Sequence, residues 1–185
     1  MAPETKVNGV NIDQLFSTID LLKAKPELAK FKFRATNKWL SGTHSRATVK
    51  DFYGPGQEDT SRSPVTYDLD EPEVLLGTNQ GTNPVEYLLV ALSGCITTTI
   101  VAYASAKKIL LRGIESRYEG DIDLRGFLNI SQEVPVGYQE IRVYFQIDAD
   151  ISEEQKEELV RMGEKYSPVT NTIKNLTPVS VHLEK

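Results

Sequence analysis

The residues that could do chemistry in this sequence are few: one cysteine, Cys95, and two histidines, His44 and His182. A cysteine beside a cationic group can act as a nucleophile, because the thiolate is the reactive form. The sequence holds no C-x-x-C, H-x-x-x-H or H-E-x-x-H spacing, so it predicts no metal site. It also lacks the G-x-S-x-G motif of a serine hydrolase. Cys95 is therefore the leading candidate for chemistry.

Two interpretations of Cys95 stay open on its position alone. A free cysteine inside an apolar helix is commonly one more small buried side chain. An active thiol needs a positive neighbour, or backbone amide groups freed by a bend. Gly94 offers such a bend, and Arg46 or His44 could bring a charge from another element.

A long apolar helix is expected to position Cys95. Asn83 and Pro84 are typical of an N-cap and the first helical residue, and Glu86 stands where a capping box requires an acidic residue. The apolar residues that follow, up to about residue 108, cover more than one helical stripe. The pattern predicts a central core helix that is buried nearly all round.

The rest of the chain predicts a mixture of helices and antiparallel strands. Alternating apolar residues predict strands at residues 31–40, 45–52, 65–70, 114–124, 138–148 and 178–183. Helical spacing predicts helices at residues 10–29, kinked or ended at Pro26, and 152–166, with a short helical turn at 169–174. Since the elements do not alternate as βαβ units, the fold class is α+β.

Length and charge exclude several classes of protein. A chain of 185 residues is typical of one domain. Acidic residues outnumber basic ones by 26 to 21, giving a net charge of −5, which argues against a nucleic-acid partner. The apolar run at residues 85–92 is too short to span a membrane, the first ten residues lack the apolar core of a secretory signal, and a lone cysteine favours the cytoplasm.

The run that ends at Cys95 resembles the OsmC/Ohr family of osmotically induced and organic hydroperoxide resistance proteins. The run reads Gly81-Thr82-Asn83-Pro84-x-Glu86-x-Leu88-Leu89-x-Ala91-Leu92-Ser93-Gly94-Cys95. The resemblance continues in residues 111–114, 141–147 and 166–173 and covers about residues 32–184. It implies antiparallel sheets packed around two central helices, in an intertwined homodimer with active sites at the subunit interface. We expect this OsmC-like domain at residues 31–185, after an N-terminal helical extension at residues 1–30.

The resemblance also implies a chemistry. Typical members reduce organic hydroperoxides with two cysteines: the first attacks the peroxide, and the second closes a disulfide that outside thiols such as lipoyl groups reduce. Cys95 corresponds to the first cysteine. Ser167, in Tyr166-Ser167-Pro168-Val169, stands at the place of the second, and a serine cannot form a disulfide.

Two supporting positions depart from the family pattern. The carboxylate that usually follows the proline directly is replaced by Val85, with Glu86 one position later. The activating arginine is expected on an early strand and loop near residues 42–46. The resemblance puts Thr43 in that place, and a small shift would put Arg46 there instead.

Two functions therefore stand as hypotheses, neither of which needs a cofactor. The first is a thiol redox protein that reduces organic hydroperoxides in a one-cysteine cycle, with Cys95 and Arg46 as catalytic residues and an external thiol as reductant. The second is a non-peroxidatic relative that binds an apolar small molecule at the dimer-interface pocket, lined by Cys95 among others. The candidate binding residues are Thr43, His44, Glu86, Tyr87, Leu92 and Ser167.

Overall fold

The structure, a computed structural model, describes residues 5–184. The chain forms two compact units, one of residue 5 and residues 11–88, the other of residues 6–10 and 89–184. The domain boundary expected at residue 30 stays a prediction. Residues 1–4 of the expected extension, and residue 185, lie outside the described residues.

The N-terminal segment forms a hairpin and a helix. Strands β1 (Lys6–Val7) and β2 (Val10–Asn11) are joined by Asn8 and Gly9, both with positive φ, as a tight two-residue hairpin turn requires. Helix α1 (Ile12–Ala24) begins where the Asn11 side chain accepts a hydrogen bond from the Gln14 amide. A 3-10 turn at Pro26–Ala29 follows, so the helix ends just before Pro26, which was expected to kink or end it.

An antiparallel sheet forms most of the first unit. Its strands are β3 (Lys32–Ser41), β4 (His44–Tyr53), β5 (Glu58–Asp59) and β6 (Val65–Leu69). β4 is central: it pairs with β3 on one side and with β6 and β5 on the other. The three strands predicted in this region are confirmed. The register sets Arg46 directly opposite Asp68.

Helix α2 (Pro84–Ala106) starts as predicted. The Val85 amide donates to Asn83 Oδ1 over 2.9 Å, and the Asn83 amide donates to the Glu86 carboxylate over 3.2 Å. The buried side chains of α2 form one stripe, which comprises Leu92, Ile96, Ile100, Ala104 and Ser105. The prediction of burial nearly all round is wrong for the described chain, because the other faces of the helix have no comparable packing.

The length and composition of α2 meet the requirements for a membrane span. Its 23 residues include a window of mean hydropathy 1.7. The core helix of a soluble protein has the same properties, and one such helix is weak evidence. It does not indicate a membrane protein.

The second unit packs a hairpin and two helices against α2. Strands β7 (Leu111–Asp121) and β8 (Glu140–Ala149) pair antiparallel, and the short helix α3 (Leu124–Phe127) lies in their connection. Helix α4 (Glu153–Tyr166) begins at a capping box formed by Ser152 and Gln155, and α5 (Pro168–Lys174) follows it. Leu159 of α4 joins the buried stripe of α2 in the core.

One strand prediction is wrong. Residues 178–183 form no strand, and the apolar side chains that suggested one are exposed, Val181 to 90%. Alternation describes how a segment would divide between two faces of a sheet, but a strand also needs a neighbouring strand for its backbone hydrogen bonds. Within the described chain this segment has none.

Candidate functional site

Cys95 lies in the middle of α2, within the second unit. Its side chain is partly exposed, and its Sγ makes no hydrogen bond with any residue from 5 to 184. The helix continues without interruption through Gly94, so the bend that could have freed amide groups is not formed. Cys95 is thus a half-buried residue on a regular helix.

Leu92 and Ser167, predicted as binding residues, lie in the same unit as Cys95. Leu92 is buried in the core stripe. Ser167 is fully buried at the junction of α4 and α5, and its Oγ accepts a hydrogen bond from the Thr170 amide over 3.2 Å. The Ser167 hydroxyl therefore caps helix α5.

In the first unit, several predicted site residues converge on Asp68. His44 Nε2 and Arg46 Nε each lie 2.9 Å from Asp68 Oδ1. The Tyr87 hydroxyl donates to the Asp68 carbonyl over 3.4 Å, and its ring meets Tyr67 edge-on. The hydrogen bonds from His44, and next from Arg46, hold the pKa of the Asp68 carboxyl below its ordinary value.

Thr43 forms a hydrogen bond with a second carboxylate, that of Asp70, a residue that is 1% exposed. The Thr43 hydroxyl donates to Asp70 Oδ1 over 2.6 Å, and Oδ2 accepts from the Thr78 hydroxyl and from the amides of Thr78 and Gln80. These donors, Thr43 first, hold the pKa of Asp70 far below its ordinary value. Asp70 therefore organises the loop that leads to α2.

Glu86 lies at the start of α2 and closes the capping box with Asn83. The side chain of Asn83 donates to Glu71, whose pKa is raised by burial and then by the negative charges of Asp70 and Glu86. Glu86 thus has a structural role in starting the helix. Its role in binding stays a prediction.

The structure brings together four predicted residues, Thr43, His44, Arg46 and Tyr87, around two carboxylates that the sequence analysis missed. Asp68 and Asp70 could have been found from the alternation of residues 65–70. Once that segment is paired antiparallel with residues 45–49, an aspartate stands across from the arginine. Cys95, Leu92 and Ser167 belong to the other unit.

The part of the chain that the structure describes contains no group of three or more His, Cys, Asp or Glu side chains arranged to hold a metal ion. His44 is already engaged with Asp68. His182 lies in the exposed C-terminal segment. Neither histidine lies in a cluster of potential ligands.

Comparison with known proteins gives a family and a fold. The family model described as OsmC-like protein matches residues 77–182. No curated protein sequence matches the chain. An OsmC-like protein from Mycoplasma pneumoniae is 20% identical with a TM-score of 0.60, over 78% of this chain and 89% of that one. At this identity the likeness establishes the fold alone.

Two further solved structures carry functional names. An organic hydroperoxide resistance protein OsmC from Legionella pneumophila is 19% identical with a TM-score of 0.57, over 77% of this chain and 89% of that one. A protein of Vibrio cholerae described as a putative organic hydroperoxide resistance protein, with captopril in one active site, is 16% identical with a TM-score of 0.50, over 77% and 85%. Both share the α+β fold described above.

Proposed function

Because this chain belongs to the OsmC-like protein family, we propose that it is a thiol redox protein that reduces organic hydroperoxides through Cys95. The observation that carries the proposal is the place of Cys95: it lies inside the segment that matches the family, and the residue is only partly buried. The Legionella pneumophila protein of the same fold, described as an organic hydroperoxide resistance protein, supports it.

The cycle needs only one cysteine and an outside thiol. The Cys95 thiolate attacks one peroxide oxygen, the O–O bond breaks, and the alcohol leaves after taking a proton. Cys95 is then a sulfenic acid. A first thiol molecule condenses with it, releasing water and forming a mixed disulfide, and a second thiol molecule reduces that disulfide and restores Cys95. Ser167 takes no part in these steps.

Arg46 remains our proposed cationic partner of the thiolate, on the ground of the sequence. A guanidinium would stabilise the thiolate and orient the peroxide. Its charge is shared with Asp68 in the ion pair of 2.9 Å, so this role requires the pair to open. Both side chains are substantially exposed, which makes such opening easy.

We further propose that the protein is a cytoplasmic homodimer. The lone cysteine favours a reducing compartment, as argued above. Every residue of β3 is exposed in the described chain, Phe33 to 71% and Trp39 to 69%. Exposed aromatic side chains on one strand are typical of a protein–protein interface.

The test is the intact mass of the reduced protein after brief exposure to cumene hydroperoxide, with and without a dithiol. We expect a gain of one or two oxygens that the dithiol suppresses. The Cys95→Ser variant is the control, because Met1 and Met162 can also take up oxygen. An equal gain in the wild type and in Cys95→Ser would overturn the proposal.

A second candidate function is the binding of an apolar small molecule without peroxide chemistry. One observation favours it: the second unit contains a cavity of about 380 Å³ lined mainly by apolar side chains such as Leu92, with the polar Thr170 beside them. A volume of this size is sufficient for a small ligand. Leu92 was predicted to bind such a molecule, and Thr170 lies one helical turn after Ser167.

A further inference from the structure

The cavity lies between α2, β8, α4 and α5 of the second unit. Seven of its ten lining residues are aliphatic or aromatic, and all four elements contribute, for example through Ile96, Phe145, Val160 and Ile173. Cys95 is not among the lining residues. The cavity is therefore a feature separate from the thiol.

One lining side chain lacks a hydrogen-bond partner. Thr170 is 7% exposed, and its Oγ1 is buried and unpaired among the described residues. An unpaired buried hydroxyl is unfavourable, and such groups are rare in native proteins. Threonine in a helix occupies two χ1 positions, and one rotation about χ1 carries the hydroxyl to the place that the methyl group held. The Thr170 hydroxyl is thus available as a donor to an occupant of the cavity.

The charges at the cavity cancel each other. Lys174 Nζ lies 2.6 Å from a Glu164 carboxylate oxygen, and both side chains line the cavity while remaining more than half exposed, so they mark its mouth. An anionic ligand would be repelled by Glu164, and a cationic ligand by Lys174. Because Glu164 and Lys174 already pair with each other, a charged ligand group would find no free opposite charge to pair with. An uncharged ligand faces neither penalty.

We propose that this cavity binds an uncharged aliphatic molecule with one oxygen acceptor, such as a medium-chain ketone, whose carbonyl accepts a hydrogen bond from the Thr170 hydroxyl. This inference rests on the second candidate function and specifies its site and ligand class. It is independent of the peroxide cycle, which is measured on Cys95.

The test uses the full-length protein and the neutral fluorescent probe N-phenyl-1-naphthylamine. We expect the probe to gain fluorescence on binding and 2-octanone to displace it. Octanoate has the same chain length but is charged. Displacing the probe should require an octanoate concentration at least about tenfold higher than that of 2-octanone, since the carboxylate meets the Glu164–Lys174 pair.

Two pairs of variants locate the ligand. Thr170→Val removes the hydroxyl at nearly constant volume. It should lower the affinity for 2-octanone about fivefold, which is the typical effect of losing one hydrogen bond. Thr172→Val is its matched control, because the Thr172 hydroxyl already bonds the Pro168 carbonyl and does not line the cavity. Val160→Phe should fill the cavity and reduce probe binding, whereas Val74→Phe, at an exposed position of the first unit, should not.

The possible outcomes test separately whether the protein binds apolar molecules, where it binds them, and which ligand class it prefers. If the probe does not bind, both the ligand class and the second candidate function are overturned. If it binds equally well to Val160→Phe, the site is wrong. If octanoate equals 2-octanone, or if Thr170→Val and Thr172→Val behave alike, the ligand class is wrong while apolar binding stands.

Discussion

Arg46 and Asp68 face each other across β4 and β6, with Arg46 Nη2 2.9 Å from Asp68 Oδ1. The same carboxylate oxygen contacts His44 Nε2. Two cationic or potentially cationic side chains therefore compete for one acceptor. A catalytic role for Arg46 would therefore compete with its ion pair to Asp68.

Substitution of Arg46 tests that assignment. We expect Arg46→Ala to slow the oxidation of Cys95 about tenfold, because the guanidinium would no longer orient the peroxide, and a loss of about 1.4 kcal/mol of transition-state stabilisation is tenfold in rate. Asp68→Asn, which removes the competing charge, should not slow it. The measurement is the initial rate of oxygen gain by intact mass. An unchanged rate in Arg46→Ala would remove Arg46 from the cycle and leave the role of Cys95 intact.

Asp70 should make the stability of the protein depend on acid pH. Its folded-state pKa lies below the unfolded value of about 3.9, so its contribution is present above that value and is lost as the pH falls below it. Asp70→Asn should be less stable than wild type at pH 7, with the gap narrowing towards pH 3. Urea midpoints across this range measure it. Asp20→Asn, on the exposed face of α1, should follow the wild type, and a constant gap for Asp70→Asn would contradict the prediction.

The Asn8 side chain fastens the N-terminal hairpin within the second unit. Its Nδ2 donates to Ser105 Oγ and to the Ile109 carbonyl, and its Oδ1 accepts from the Leu111 amide, over 2.9–3.1 Å. We expect Asn8→Gly to lose about 1–3 kcal/mol of unfolding free energy, since it leaves these groups unpaired. Glycine keeps the positive φ available, so the loss reports the side chain and not backbone strain.

Denaturant unfolding measures this loss, and Asn37→Gly is the comparison. Asn37 makes one exposed side-chain hydrogen bond, to Ser45, in the middle of β3. Replacing Asn37 with glycine lowers the unfolding free energy only as glycine in a strand does, and it breaks no buried hydrogen-bond network. An effect of Asn8→Gly no larger than that of Asn37→Gly would mean that the Asn8 side chain does not anchor the hairpin.

Gly163 allows α4 to pack closely against α2. A Cβ at this position would lie 2.6 Å from Ile100 Cγ1 and 3.0 Å from Ile96 Cγ2, both in buried side chains. We expect Gly163→Ala to cost about 1–3 kcal/mol by overpacking. Gly94→Ala is the matched variant: no atom lies within 4 Å of its Cβ, so alanine should stabilise the helix by about 0.5–1 kcal/mol. Thermal unfolding distinguishes the two, and a destabilised Gly94→Ala would indicate that another surface covers Gly94.

The proposed dimer predicts a fluorescence change on dilution. Trp39 is the single tryptophan, and the residue is 69% exposed in the chain, with its Nε1 donating to the Gly42 carbonyl. If β3 lies at the dimer interface, dilution should shift the Trp39 emission to longer wavelength as the sedimenting mass falls from twice 20.7 kDa to one chain. A single chain at micromolar concentration, with constant emission, would contradict the proposal.

Local signals were sufficient for most of the elements. Asn83 begins its helix as predicted, and Asn11 and Ser152 cap theirs in the same way, because capping depends on residues only three positions apart. Period-two alternation likewise located the main strands of both units. These are interactions within a few residues, which a sequence pattern records directly.

Interactions between distant segments were not predictable in the same way. The pairing of Arg46 with Asp68 depends on the register of two strands, and the exposure of residues 178–183 depends on whether a neighbouring strand is present. The apolar character of α2 was visible, yet it did not indicate which of its faces are covered. The sequence was sufficient to choose the candidate site residues. Their hydrogen-bond and ion-pair partners could be identified only from the three-dimensional structure.

Ser167 places two demands on one position of the chain. The hydroxyl accepts the Thr170 amide and so allows α5 to start directly after α4, at full burial. A thiol is a weak hydrogen-bond acceptor and would cap that helix poorly. A chain that restored a cysteine here would regain an internal resolving group while weakening a helix junction. In the proposed one-cysteine cycle, serine would keep that junction while recovery of Cys95 would depend on outside thiol, so the capacity of the cycle would follow the redox state of the surrounding solution.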